Sequence, residues 1–167
     1  MLRHAKSSWD HDGLTDHERP LSKRGTKACG LIGTYLVKNG LQPDQVLSSD
    51  SVRTRATFAL VASEFKDAQI AASFHSELYL ADPGTILEFV RAAHRGTKTL
   101  LLLAHNPGIH ALSLALVGRG NRSRLREMAM KFPTAGLAVI SFDCDKWNAV
   151  RPALGQLEAF VTPRELE

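Results

Sequence analysis

Apolar residues recur at Ala28, Leu31, Ile32, Tyr35 and Leu36, the i, i+3, i+4, i+7, i+8 spacing of one buried helix face. Ser22 is placed to cap that helix, and Gly40 to stop it. Gly25, Gly30 and Gly33 each lower helix propensity by up to about 1 kcal/mol relative to alanine. Tertiary packing must therefore stabilise the helix, and close approach to a sheet is the expected reason.

The same reading carries through the chain. Trp9 to Arg19, rich in Asp, His and Gly and without a period, reads as a loop. Gln45 to Ser48 is a short strand that passes through Ser49 and Asp50 into a helix from Val52 to Phe65. Ala68 to Ala72 reads as a strand and Phe74 to Leu80 as extended or irregular. Asp82 and Pro83 open a helix as N-cap and first residue, with Ile86, Leu87, Phe89, Val90 and Ala93 as its buried stripe. Thr99 to Leu103 is a continuous apolar run, as in a strand covered on both faces, and His105 stands at its end. A helix over Gly108 to Leu116 buries Ile109, Leu112 and Leu116. The basic stretch Arg119 to Arg126 has little pattern. Gly136 to Phe142 and Gln156 to Val161 are the last strands, with Trp147 and Pro152 in the connection between them.

Strands alternating with helices at this spacing imply an α/β layered fold, with a largely parallel sheet and helices on both faces. Sites in such folds lie outside the carboxyl ends of the strands. Arg3-His4, Ser49 to Arg53, and His105 all fall at predicted carboxyl ends. A chain of 167 residues with 44% hydrophobic content fits one domain spanning residues 1–167. Only Met1 and Leu2 precede Arg3, which is short for a strand delivering a reactive residue, so the first strand is expected to lack a few residues here.

Charge changes this picture little. The 21 basic and 17 acidic residues are interspersed, and a net charge of +4 suits an anionic phosphate as well as it suits nucleic acid. The two cysteines, Cys29 and Cys144, lie far apart and give neither a disulfide framework nor a Cys-x-x-Cys metal signature. No apolar run approaches the roughly 20 residues of a spanning helix. A cytoplasmic protein without a membrane segment is the expectation.

Three short motifs carry the chemistry: Arg3-His4, Ser48-Ser49-Asp50-Ser51-Val52-Arg53-Thr54-Arg55-Ala56-Thr57, and the strand running into His105-Asn106-Pro107-Gly108. A histidine offers a nucleophilic nitrogen, and arginines hold phosphoryl oxygens by paired hydrogen bonds that a lysine cannot reproduce. A strand, a short polar turn and a helix aim N-terminal amides at an anion. Neither a Gly-x-x-x-x-Gly-Lys-Ser/Thr loop nor a Gly-x-Gly-x-x-Gly turn is present, and His105 with His110 has the wrong spacing for zinc.

Together with Arg19-Pro20-Leu21-Ser22, these motifs resemble the histidine phosphatase superfamily, and within it the SixA-like phosphohistidine phosphatases. The resemblance implies a phosphoglycerate mutase-like three-layer α/β/α sandwich, no metal and no cofactor. It implies a phosphatase working through a covalent phosphohistidine, with His4 as nucleophile, Arg3 and Arg53 as the phosphate clamp, and His105 as a further ligand donating to the phosphate. Arg19, Ser49 and Asn106 are candidate substrate-binding residues, and Lys6 and Ser7 rim residues. Glu77 stands in about the region where ester-cleaving relatives carry a general acid. A phosphohistidine substrate needs that acid less, because an imidazole departs more readily than an alkoxide, so the expected partner is a phosphohistidine-bearing protein. A small-molecule phosphomonoesterase or mutase on the same scaffold is the alternative. A non-catalytic phosphate- or nucleic-acid-binding module, using Arg119, Arg122, Arg124 and Arg126, is the least favoured reading.

Overall fold

A computed structural model describes residues 1–10, 13–65 and 70–167. Seven strands form one mixed sheet in the order β3-β2-β4-β1-β6-β7-β5. They are β1 (Leu2–Arg3), β2 (Gln45–Ser49), β3 (Ala71–His75), β4 (Leu100–Ala104), β5 (Val117–Gly120), β6 (Leu137–Ser141) and β7 (Gly155–Val161). The helices are α1 (Lys23–Lys38), α2 (Val52–Ala62), α3 (Pro83–Arg91), α4 (Gly108–Leu116) and α5 (Arg122–Met130).

Alternation along the central strands creates the layers. Leu101 and Leu103 of β4 join Val46 and Leu2 against Ala28, Ile32 and Leu36 of α1 and Val61 of α2. Leu102 and Ala104 face the other way, with Leu47, against Ile86 and Val90 of α3 and Ile109, Leu112 and Leu116 of α4. Each fully buried Leu or Ile stabilises the fold by about 1.5–3 kcal/mol. A third cluster packs Met128 of α5 and Phe132 on Ala138, Leu157 and Phe160.

The sheet is largely parallel, as the sequence pattern implies. β1, β2, β3 and β4 pair in parallel and so do β5 and β7, but β6 runs antiparallel to both β1 and β7. β6 and β7 lack a crossover helix between them, so the chain turns back as an antiparallel pair. Two elements also differ in their bounds. α2 ends at Ala62 rather than Phe65, and the third strand spans Ala71–His75, whereas the expected one begins at Ala68, outside the described residues. The basic stretch is structured: Val117–Gly120 pairs with β7, and Asn121 caps α5 by accepting from the Ser123 and Arg124 amides. Arg124 there pairs with Glu127 and Glu165.

Two of the three glycines of α1, Gly25 and Gly33, serve close contacts with a loop and a helix rather than with the sheet. A Cβ on Gly25 would lie 2.1 Å from the Lys6 carbonyl oxygen, and one on Gly33 would lie 2.9 Å from the Val61 carbonyl of α2. Gly25 therefore lets α1 touch the loop that leaves β1.

At the edge of the sheet opposite the strand exits, Leu100–Leu102 at the amino end of β4 and Val139–Ser141 at the carboxyl end of the antiparallel β6 flank a cavity of about 760 Å³. None of the candidate site residues lines it. No helix among the described residues is long and apolar enough to cross a membrane.

Candidate active site

Parallel pairing of β1, β4 and β2 brings their carboxyl ends to one edge, with Arg3 beside Ala104 and Ser48 beside Leu103. The next residues, His4 and His105, therefore emerge side by side, their ring centroids 5.0 Å apart. The His4 amide donates to the Ala104 carbonyl at 3.2 Å, which ties the two strand exits together. Arg53, the second residue of α2, reaches in from the neighbouring strand exit and is 3% exposed.

Around them is a cavity of about 270 Å³ lined by Arg3, His4, Lys6, Ser7, Asp16, Arg19, Arg53, His105 and Asn106, with Trp9, Leu80 and Thr134. A cavity of that size suits a small anion and part of what it is attached to. Four of its lining side chains are arginine or lysine, and Asp16 is the single carboxylate among those described.

His4 is fixed in one tautomer. Its Nδ1–H donates to the Ala5 carbonyl at 2.8 Å, which leaves Nε2 as the lone-pair nitrogen. The loop behind it is held by Thr57, whose Oγ1 accepts from the Ala5 amide at 3.0 Å and donates to the Arg53 carbonyl at 2.6 Å. Burial pushes the His4 pKa down to about 4, and the Arg53 and Arg3 charges act in the same direction against the Ala5 acceptor. The ring is neutral at neutral pH.

His105 has both ring nitrogens engaged. Arg53 can only donate, so its Nη2–H points at His105 Nδ1 at 3.3 Å and the ring proton must sit on Nε2, which donates to Ser49 Oγ at 2.8 Å. Neither ring nitrogen presents an unengaged N–H to the cavity. Burial, then the His4 and Arg53 charges, lower its pKa to about 3. Ser49 is fully buried and does not line the cavity; it holds His105 instead.

Arg3 and Asn106 share one anchor. Arg3 Nη1 donates to the Phe132 carbonyl at 2.8 Å and Asn106 Nδ2 donates to the same oxygen at 3.0 Å. Arg3 Nε and Asn106 Oδ1 are buried without a hydrogen-bond partner. An unpaired buried polar group costs about 1–3 kcal/mol, so such groups concentrate where a ligand supplies the missing partner.

The outer wall joins Arg19 and Arg53 to two residues that no motif in the sequence marks, Asp16 and Tyr79. Asp16 Oδ1 accepts from Arg19 Nη1 at 2.9 Å, and Asp16 Oδ2 accepts from Arg53 Nη2 at 2.9 Å and from the Tyr79 hydroxyl at 2.6 Å. Arg53 Nη1 also donates to the Asp16 carbonyl. The Tyr79 hydrogen bond above all, then Arg19 and Arg53, hold the Asp16 carboxyl well below the usual carboxylate range. Arg19 donates Nε to the Ser8 carbonyl at 3.0 Å, and its guanidinium lies 3.2 Å from the centroid of the exposed Trp9 ring. For Asp16 the signal in the sequence is its spacing three residues before Arg19, in an aperiodic loop.

Glu77 stands apart. It sits in a 3-10 turn (Ser76–Leu78), is exposed, accepts from Ser76 Oγ, and does not line the cavity. The turn after β3 points its carboxylate at solvent. No cluster of His, Cys, Asp and Glu among the described residues could hold a metal ion, and His110 Nε2–H donates to the Met128 carbonyl.

The family model described as histidine phosphatase superfamily (branch 1) matches residues 1–78. An uncharacterized protein of Mycobacterium tuberculosis strain H37Rv is 36% identical over 165 residues, covering 98% of this chain and 100% of its own length. The crystal structure of a protein provisionally named phosphohistidine phosphatase SixA, from Agrobacterium tumefaciens, is 29% identical. It superposes with a TM-score of 0.80, covering 97% of this chain and 95% of that one. A similarly named protein from Nakamurella multipartitia is 26% identical, with a TM-score of 0.84, covering 97% of this chain and 93% of that one.

Proposed function

This chain belongs to the histidine phosphatase superfamily, in its SixA-like branch, and from that premise we propose that it takes the phosphoryl group from a phosphohistidine side chain of another protein. His4 Nε2 attacks phosphorus in line. The P–N bond to the substrate ring breaks, its electron pair staying with that ring's nitrogen, and phosphohistidine forms on His4. Water then attacks phosphorus, the P–N bond to His4 breaks, and inorganic phosphate leaves.

The observation that carries this reading is the pair of imidazoles 5.0 Å apart in a cavity walled by Arg3 and Arg53, with His4 locked in the nucleophilic tautomer. Phosphoryl transfer needs little beyond position and stabilisation of charge on three oxygens. Arg3 and Arg53 supply donors for those oxygens, as does Arg19 from the outer wall. Asn106 stays on its Phe132 anchor beside Arg3. As the phosphoryl group takes up the Arg53 N–H, His105 Nδ1 loses its donor and becomes free to take a proton and bind the anion.

Support for phosphohistidine over an ester comes from the acids. An alkoxide must be protonated as it departs, but Glu77 lies outside the cavity and Asp16 is held ionised. An imidazole with a proton on its far nitrogen departs neutral without help. The names of the SixA relatives point the same way.

The test is to assay the wild type side by side on a phosphohistidine-bearing protein and on sugar phosphates. The reading predicts kcat/KM at least tenfold higher for phosphohistidine. The reverse order would instead assign a small-molecule phosphomonoesterase.

A further inference from the structure

The single carboxylate among the described cavity residues, Asp16, is held on the outer wall by three donors. Asp16 lies one guanidinium outward from the histidine pair: Arg53 Nη2 touches His105 Nδ1 on its inner side and Asp16 Oδ2 on its outer side. A carboxylate offers about four acceptor positions. Arg19, Arg53 and Tyr79 take three of them, and the side chain remains 47% exposed. One acceptor position on Oδ1 is therefore open to a ligand. Beside it, Trp9 presents a flat exposed ring on the same Arg19 guanidinium that Asp16 binds.

Resting on the phosphohistidine reading above, we propose that Asp16 is a specificity-determining residue: it accepts a hydrogen bond from the far ring N–H of the substrate's phosphorylated imidazole and so selects N-phosphorylated imidazoles against phosphate esters. With that nitrogen protonated, the substrate ring carries positive charge, and a carboxylate attracts it. As the P–N bond breaks, the electron pair stays with the ring nitrogen that held phosphorus. The proton beside Asp16 remains on the ring, which departs as neutral imidazole. No proton passes to or from Asp16.

For a phosphate ester the same carboxylate is adverse. An ester's leaving group offers no cationic ring N–H to offset that charge, and Asp16 cannot protonate the departing oxygen, because three donors keep it ionised. A charge-assisted hydrogen bond made with one substrate and not with the other is enough for discrimination of tenfold or more.

Asp16→Asn removes the charge at nearly constant shape. Its kcat/KM is measured on a phosphohistidine peptide and on p-nitrophenyl phosphate, and compared as a ratio with the wild type. A merely structural role, through misplacement of Arg53, lowers both values together and leaves the ratio unchanged. The proposal predicts that the ratio of phosphohistidine to aryl phosphate falls at least tenfold. A fall of less than threefold, or a rise, overturns it, and a fall between those limits sustains it in weaker form. Asp16→Ala, measured in the same way, must shift the ratio in the same direction. A wild type that hydrolyses p-nitrophenyl phosphate but not the phosphohistidine peptide overturns the function proposed above, and this proposal with it. Failure of the function is thereby told apart from a correct function in which Asp16 does not discriminate.

Discussion

Ser49 Oγ lies 2.8 Å from His105 Nε2, and this contact fixes the second histidine with its Nδ1 turned to Arg53. Ser49→Ala leaves a buried N–H without an acceptor, which costs about 1–3 kcal/mol. A loss of roughly tenfold or more in kcat/KM is expected. Ser49→Ala and His105→Asn are expected to be non-additive, because both act through one ring; steady-state kinetics of the two single variants and the double variant check this.

Anion binding is expected to take up a proton. With its pKa near 3, His105 is neutral at pH 7 in the free protein. An oxyanion in the cavity favours the protonated ring and draws the Arg53 N–H away from Nδ1. Titration calorimetry with tungstate at pH 7, in two buffers of different ionisation enthalpy, should show net proton uptake. Uptake should disappear in His105→Asn, and release of protons by the wild type would be contrary to this picture.

Stability should fall on acidification before the carboxylates titrate. The folded-state pKa values of about 4 for His4 and about 3 for His105 lie below the 6.5 of an unperturbed histidine. Between those values the unfolded chain binds more protons than the folded one, so stability is fully present above about pH 6.5 and is lost as pH falls towards 4 and below. Urea unfolding at pH 7, 6 and 5 tests the slope, and His4→Ala should make it shallower.

Gly25→Ala is expected to disturb the site from a distance. The new Cβ would lie 2.1 Å from the Lys6 carbonyl, so either α1 or the loop after His4 must shift. Overpacking of this kind costs about 1–3 kcal/mol. A lowered midpoint of thermal unfolding together with reduced turnover is the expected outcome, whereas Gly30→Ala, with no neighbour closer than 4.0 Å, should leave both nearly unchanged.

Much of this architecture was legible in the sequence because burial imposes periods. The stripe Ala28, Ile32, Leu36 and the run Leu101 to Leu103 face two different cores, and both patterns are regular. β3 was misplaced because Ala71 and Ala72 are small, exposed residues on an edge strand, and α5 was missed because Met128 is its one fully buried side chain. Arg3, His4, Arg53 and His105 could be brought to one place because each follows a strand end. Asp16 and Tyr79 could not, since their contact joins a loop to a turn 63 residues further on. Glu77, close to Tyr79 in sequence, points away from the cavity.

The central claim is that His4 becomes covalently phosphorylated. Rapid quenching of the wild type with a radiolabelled phosphohistidine peptide, followed by mapping of the protein-bound label, tests it most directly. The expected result is an acid-labile, base-stable phosphoryl group on the peptide that contains His4, absent from His4→Ala, which is folded and inactive. Turnover by His4→Ala, or turnover by the wild type with no trapped label, would contradict it.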